Sequence, residues 1–165
     1  MMNNEAREKV YNLFKQLNIP YEVVEHPPMF SQADNDKIRV DRRAQILKNL
    51  FLRNKERTKY YLFTLPLEKR GDLNTLQRLL GEKKLSFGDA TELMDKLNIL
   101  PGSVSLLNIA GAENPDLTFI IDNEAFRHKV IGLHPNDNTA TMVFSPEYLR
   151  IILEHYGAEY KFVDI

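Results

Sequence analysis

Leu47-Lys48-Asn49-Leu50-Phe51-Leu52 is the stretch from which the rest of the chain is best read. So short a run of Leu and Phe reads as a strand packed on both faces, where little water is left for a charge. Lys48 is the exception inside it. An ammonium there must stay solvated at a cleft, find an anionic partner or lose its proton, because uncompensated burial is costly. A snorkelling side chain, stem packed and head in water, accounts for the same position. The strand alone leaves both readings open.

Working outward, Arg53-Asn54-Lys55-Glu56-Arg57 is a polar turn and Lys59 to Leu65 a second strand, so the two strands form an antiparallel hairpin. Upstream, Ala6, Val10, Leu13, Phe14 and Leu17 recur at helical steps over Asn4 to Leu17, with Asn3 or Asn4 as N-cap. Pro20 ends that helix, and Tyr21 to Val24 form a strand. It leads into Glu25-His26-Pro27-Pro28, where paired prolines stiffen a loop carrying His26 and Phe30. Ser31 to Gln45 is charge-rich without a clean period: a short helix, a flap, or a phosphate-contacting surface built on Lys37, Arg39, Arg42 and Arg43.

Downstream, a helix over Asp72 to Leu80 ends at Gly81, with Leu73, Leu76, Leu79 and Leu80 on one face. Ser86 and Asp89 resemble a capping box, opening a helix that turns Leu93, Met94 and Leu97 inward. Pro101-Gly102-Ser103-Val104-Ser105 is a turn whose glycine allows close backbone approach and whose following amides could be presented to an oxyanion, although most Pro-Gly turns bind nothing. Strands follow over Leu117 to Ile121, ending at Asp122, over Val130 to Leu133, and over Thr139 to Phe144. His134-Pro135-Asn136-Asp137-Asn138 connects the last two. Ser145-Pro146-Glu147 starts a final helix with His155 facing inward, and Tyr160 to Val163 is the last strand. The elements interleave without a βαβ rhythm. That favours a single mixed α/β domain over residues 1–165, with a mixed, largely antiparallel sheet or partly open barrel surrounded by helices.

With 165 residues, 43% apolar and 27% charged, the chain is ordinary globular material with room for a sizeable core. A formal charge of -1 gives no global basic field, so a nucleic-acid partner needs a local patch. Having no cysteine excludes disulfides, thiolate metal sites and a Cys nucleophile. No signal peptide or membrane span is legible, and the expected location is the cytoplasm. His128 and His134 are six apart and no pair has zinc-helix spacing, so neither metal nor cofactor is expected. Walker, dinucleotide and Gly-x-Ser-x-Gly patterns are missing. What is left is a set of polar residues at strand ends and loops: His26, Lys48, Asn49, the Gly102 turn, Asp122, His134 and Asn138.

Lys48-Asn49-Leu50-Phe51-Leu52, Glu25-His26-Pro27-Pro28-x-Phe30, Pro101-Gly102-Ser103-Val104-Ser105 and His134-Pro135-Asn136-x-Asn138-Thr139-Ala140-Thr141 together resemble the YbaK/ProX-like aminoacyl-tRNA deacylases. That family includes free-standing relatives of the editing domain of bacterial prolyl-tRNA synthetases. The resemblance implies a trans-editing hydrolase that deacylates mischarged tRNA, Ala-tRNA for proline above all, by water attack on the ester. It implies Lys48 as the essential lysine with Asn49 beside it, and Gly102 opening a loop against the aminoacyl group and terminal adenosine. His134, Asn138 and Thr139 fall in the substrate-side segment, with His134 orienting the water or the ribose. Two positions depart from the pattern: Ser31 stands where threonine is common, and Leu106 stands where the loop usually ends in proline, which puts an amide hydrogen and a branched side chain at the pocket wall.

The partner the resemblance implies is the aminoacyl-tRNA acceptor end, with a prolyl-tRNA synthetase as the second partner it suggests. Arg39, Arg42, Arg43, Arg53, Lys55 and Arg57 are the candidates for phosphate contacts. The competing reading is a catalytically silent module that senses tRNA or an aminoacyl group.

Overall fold

The computed structural model describes residues 2–28, 44–112 and 116–165. In chain order the elements are α1 (Met2–Gln16), β1 (Glu22–Glu25), β2 (Ala44–Asn54), β3 (Tyr60–Pro66), α2 (Leu73–Leu80), β4 (Leu85–Phe87), α3 (Ala90–Leu97), β5 (Thr118–Asp122), β6 (Val130–Leu133), β7 (Ala140–Phe144), α4 (Tyr148–His155) and β8 (Glu159–Val163). Short 3-10 turns cover Leu106–Ala110 and Asn123–Phe126. The strands form one open, mixed sheet in the order β1-β7-β6-β2-β3-β5-β8, with β4 pairing β2. Among the described residues four of the seven pairings are antiparallel and three parallel: β2 runs antiparallel to β3 and β4, and β7 to β1 and β6, while β2–β6, β3–β5 and β5–β8 are parallel.

Register from Leu47↔Pro66 to Arg53↔Tyr60 is unbroken, so alternation assigns Leu47, Asn49 and Phe51 to one face of the sheet and Lys48, Leu50 and Leu52 to the other. Both faces are packed, as the apolar run implied. The first joins Leu62, Phe119, Ile121, Ile131 and Met142 to Val10, Leu13 and Phe14 of α1, Leu93 and Leu97 of α3, Leu149, Ile152 and Leu153 of α4, and Leu106, Leu107 and Ile109. The second is a smaller core of Leu52, Tyr61, Phe63, Leu65, Ile120 and Val163 against Leu76 of α2. Each fully buried Leu or Phe contributes about 1.5–3 kcal/mol, and these two layers account for the fold. Over β1, β7, β6 and the start of β2, the second face carries Val24, Thr141, Gly132 and Ile46. Neither core includes these residues.

Asp72 caps α2 by accepting from the Thr75 amide at 3.1 Å, and Gly81 closes it at φ 70°. Only Leu76 of that helix is fully buried, and Leu79 is exposed. The capping box of α3 is formed by Asp89 and Glu92 and not by Ser86, which lies in β4; Met94 points outward. His155, expected to pack inward, is exposed at the end of α4, because Leu149, Ile152 and Leu153 form that helix's inner stripe.

Candidate active site

The sheet is breached beside Lys48. On the edge of β2 away from β3, pairing with β6 ends at Ile46↔Gly132 and pairing with β4 starts at Leu52↔Phe87, with one further bond from the Gly88 amide to Phe51 O at 3.0 Å. Among the described residues no strand meets β2 between them. Ile46 and Gly132 lie on one face, so the next side chains on that face, two residues on along each parallel strand, are Lys48 and His134. Thr141 and Val24, paired in β7 and β1, continue the same row.

His134 Nδ1 lies 2.9 Å from the Ala140 carbonyl, which can only accept. The ring proton is therefore on Nδ1, leaving the Nε2 lone pair unengaged among the described residues. Burial holds the imidazole below its ordinary pKa, so it is neutral near pH 7. His26 is the neighbouring ring, with centroids 6.1 Å apart. It is fixed by Pro27 O at Nδ1 and Thr141 Oγ1 at Nε2, both at 2.8 Å. Lys48 is half-buried, its pKa lowered by desolvation, and among the described residues no acceptor stands within hydrogen-bond distance of its ammonium.

Both loops flanking the breach are tied down. Asn49 Oδ1 accepts from Thr64 Oγ1 at 2.7 Å and from the Leu106 amide at 3.0 Å. Asn108 accepts from the Ser105 amide at 2.6 Å and donates to Ser103 O at 3.2 Å and to Asn136 Oδ1 at 2.7 Å. Asn136 in turn donates to Ala6 O of α1 at 2.9 Å. Next to it, Arg7 holds Asp137 (2.5 Å), Glu25 (2.8 Å) and the Thr139 hydroxyl. A continuous polar chain thus joins α1, the His134 turn and the Gly102 loop.

A match to the aminoacyl-tRNA editing domain spans residues 26–152. The chain belongs to that family. This editing domain is an aminoacyl-tRNA deacylase by class, and its substrate is aminoacyl-tRNA. It is 31% identical over 164 residues to the prolyl-tRNA editing protein ProX of Acetoanaerobium sticklandii, covering 99% of this chain and 100% of the relative. The prolyl-tRNA synthetase associated domain-containing protein 1 of Mus musculus is 30% identical over 161 residues, covering 95% of each. A solved structure described as a candidate trans-editing enzyme for prolyl tRNA synthetase superposes with a TM-score of 0.70 over 97% of each chain at 20% identity, a likeness of fold.

Within the editing domain, the structure gathers the segments that carry His26, Lys48, Asn49, Gly102 and His134 around the breach. Asn138 is half-buried in the same turn as His134. It commits other expected residues elsewhere. Asp122 pairs with Lys69 at 2.8 Å, two strands from Lys48 with Leu65 between. The Thr139 hydroxyl serves Arg7 and Asp137. Arg53 pairs with Glu92 at 3.1 Å, while Lys55 and Arg57 are exposed on the β2–β3 turn.

Leu106 is fully buried in the main core rather than lining a pocket wall. Of the loop amides expected to face an oxyanion, Ser103 donates to Leu100 O and Ser105 to Asn108, leaving those of Gly102 and Val104. Phe30, Ser31, Lys37, Arg39, Arg42 and Arg43 fall outside the described residues.

Sequence reading missed Arg7, Thr64 and Asn108, and carried Asn136 only as part of a motif, with no role of its own. Arg7 sits among the ordinary charges of an amphipathic helix and Thr64 inside a strand, and nothing local marks either one. Among the described residues no group of His, Asp and Glu suits a metal ion, and no helix is long and apolar enough to cross a membrane.

Proposed function

We propose that this chain removes alanine from mischarged tRNA for proline, acting in trans on the free aminoacyl-tRNA in the cytoplasm, with a prolyl-tRNA synthetase as the enzyme whose errors it corrects. The observation that carries this is an ammonium on the same face as a neutral imidazole, where among the described residues neither the ammonium nor the imidazole Nε2 has a partner. An aminoacyl ester needs no side-chain nucleophile, because a positioned water and stabilisation of the developing oxyanion suffice.

His134 Nε2 accepts a proton from the attacking water, or holds the ribose hydroxyl that relays it. The water oxygen bonds to the carbonyl carbon, and the tetrahedral intermediate expels the ribose oxygen, which takes up the proton. Lys48 holds the carbonyl oxygen or the terminal phosphate by charge. Lys48, Gly102 and His134 are the residues proposed to carry the reaction, and His26, Asn49, Ser103, Val104, Ser105 and Asn138 to shape the pocket. Size exclusion sets the preference for a small acyl group, because one missing methylene gains only about 1–3 kcal/mol. Lys55 and Arg57 are the described residues proposed to meet tRNA phosphates, a contact that weakens as salt rises.

The test is a panel of Ala-, Ser- and Pro-tRNA incubated with the protein, with released amino acid counted. Release from Ala-tRNA for proline above the others is the expected result. Binding without release from any of them would instead mark a silent sensing module.

A further inference from the structure

A breach in a β-ladder leaves main-chain groups without partners among the described residues, and here they include both groups of Asn49. Ile46 O accepts from the Leu67 amide and the Asn54 amide donates to Lys59 O, both toward β3; Phe51 O accepts from the Gly88 amide, on the other edge. Main-chain groups of a strand alternate edges with a period of two. The N–H and C=O of Lys48 and Leu50 therefore face β3, and those of Asn49 point into the breach. The Asn49 side chain does not fold back over them, because Oδ1 is held by Thr64 and the Leu106 amide.

We propose that the aminoacyl group of the substrate docks on this edge as a one-residue strand. Its α-ammonium donates to the Asn49 carbonyl, and its ester carbonyl oxygen accepts from the Asn49 amide, the double exchange of an antiparallel pair. This rests on the editing reading and deepens it by naming what grips the acyl group. An aminoacyl ester carries a donor and an acceptor either side of one Cα, as a strand residue does, so the complementarity is built in. Paired residues share a face. The acyl side chain would then lie on the face of Asn49, where residues 103–106 are anchored. The ester carbon would present its other side to the face of Lys48 and His134.

Non-hydrolysable amides of 3′-amino-3′-deoxyadenosine with alanine and with propionic acid differ only in the ammonium. Titrated into isotope-labelled protein, the alanyl amide is expected to bind about 10- to 100-fold tighter, the range for a charged hydrogen bond. It should also move the Asn49 amide resonance among the most of any. Equal affinities, or shifts that leave Asn49 unmoved, would overturn the proposal. Deacylation of Ala-tRNA, measured in parallel, judges the editing reading separately: ammonium-dependent binding with no turnover would keep the docking edge and sink the deacylase.

Discussion

Arg7 and Asp137 lie 130 residues apart in sequence and meet side by side, Nε to Oδ2 at 2.5 Å and a terminal guanidinium nitrogen to Oδ1 at 3.2 Å. Both are nearly fully buried. Burial alone would push the Asp137 carboxyl up, but hydrogen bonds from Arg7 and Thr139 outweigh it and hold the carboxyl below its ordinary range. The Asp137 hydrogen bond likewise raises the Arg7 guanidinium. Because the same clamp carries Glu25, it fixes the chain on both sides of the histidine pair.

Removing one partner strands the other charge. Arg7→Met or Asp137→Asn is expected to destabilise the fold by about 3–5 kcal/mol, read as a drop in Tm. The carboxyl's lowered pKa means its contribution is complete above the ordinary carboxylate value and is lost as pH falls through the lowered one. The gap between Asp137→Asn and the parent should therefore close in acid, which denaturant titrations from pH 7 down to about 3 will show.

Lys48→Met separates function from stability. A half-buried ammonium with no partner among the described residues is a cost the fold carries, so the variant should keep its Tm or gain up to about 1 kcal/mol of stability. Deacylation should fall by about 100-fold or more, the scale for losing a charge aimed at an oxyanion. An active Lys48→Met enzyme would remove this lysine from the chemistry.

His134 should titrate below its ordinary value of 6.5. As pH drops below 6.5 the unfolded chain takes the proton first, so the stability due to neutral His134 is full above that value and lost as pH falls through the lowered one. Deacylation should decline over the same lower range, because a protonated Nε2 accepts nothing. An NMR titration of the ring beside a rate–pH profile checks both.

Leu106→Pro restores the residue expected at the end of the loop and deletes the amide that holds Asn49. Proline suits the first position of a 3-10 turn, so the cost should come from the lost hydrogen bond and the reduced packing of a fully buried leucine, about 2–3 kcal/mol together. Denaturant melts of the variant and parent measure it.

Gly132→Ala tests the floor of the site. A Cβ there would stand 2.6 Å from Ile46 Cδ1 and 2.8 Å from Thr141 Cγ2, so the side chains beside Lys48 and His26 must move. A loss of about 1–3 kcal/mol is expected in thermal melts, with a fall in deacylation larger than that of a surface alanine substitution.

Much of this was legible in the sequence, because period and punctuation are local. The β2–β3 hairpin, the αL glycine after α2 and the stiff loop at His26 all announce themselves within a few residues. Leu106, Met94 and His155 were misread for one shared reason: which side of an element is covered depends on partners far along the chain. Asp122 looked like a site residue at a strand end, and only the structure brings Lys69 to it. The sheet's breach is likewise invisible in sequence, since it arises where β6 and β4, distant from each other, both stop short on one strand.

That interruption also makes the protein its own reporter. The amide protons of Lys48 and Leu50 are held in the ladder with β3, whereas that of Asn49 between them faces the opening, so solvent deuterium should replace it far sooner than either neighbour's. Fast exchange at Asn49, between two protected neighbours, would let occupancy of the opening be followed without watching any reaction.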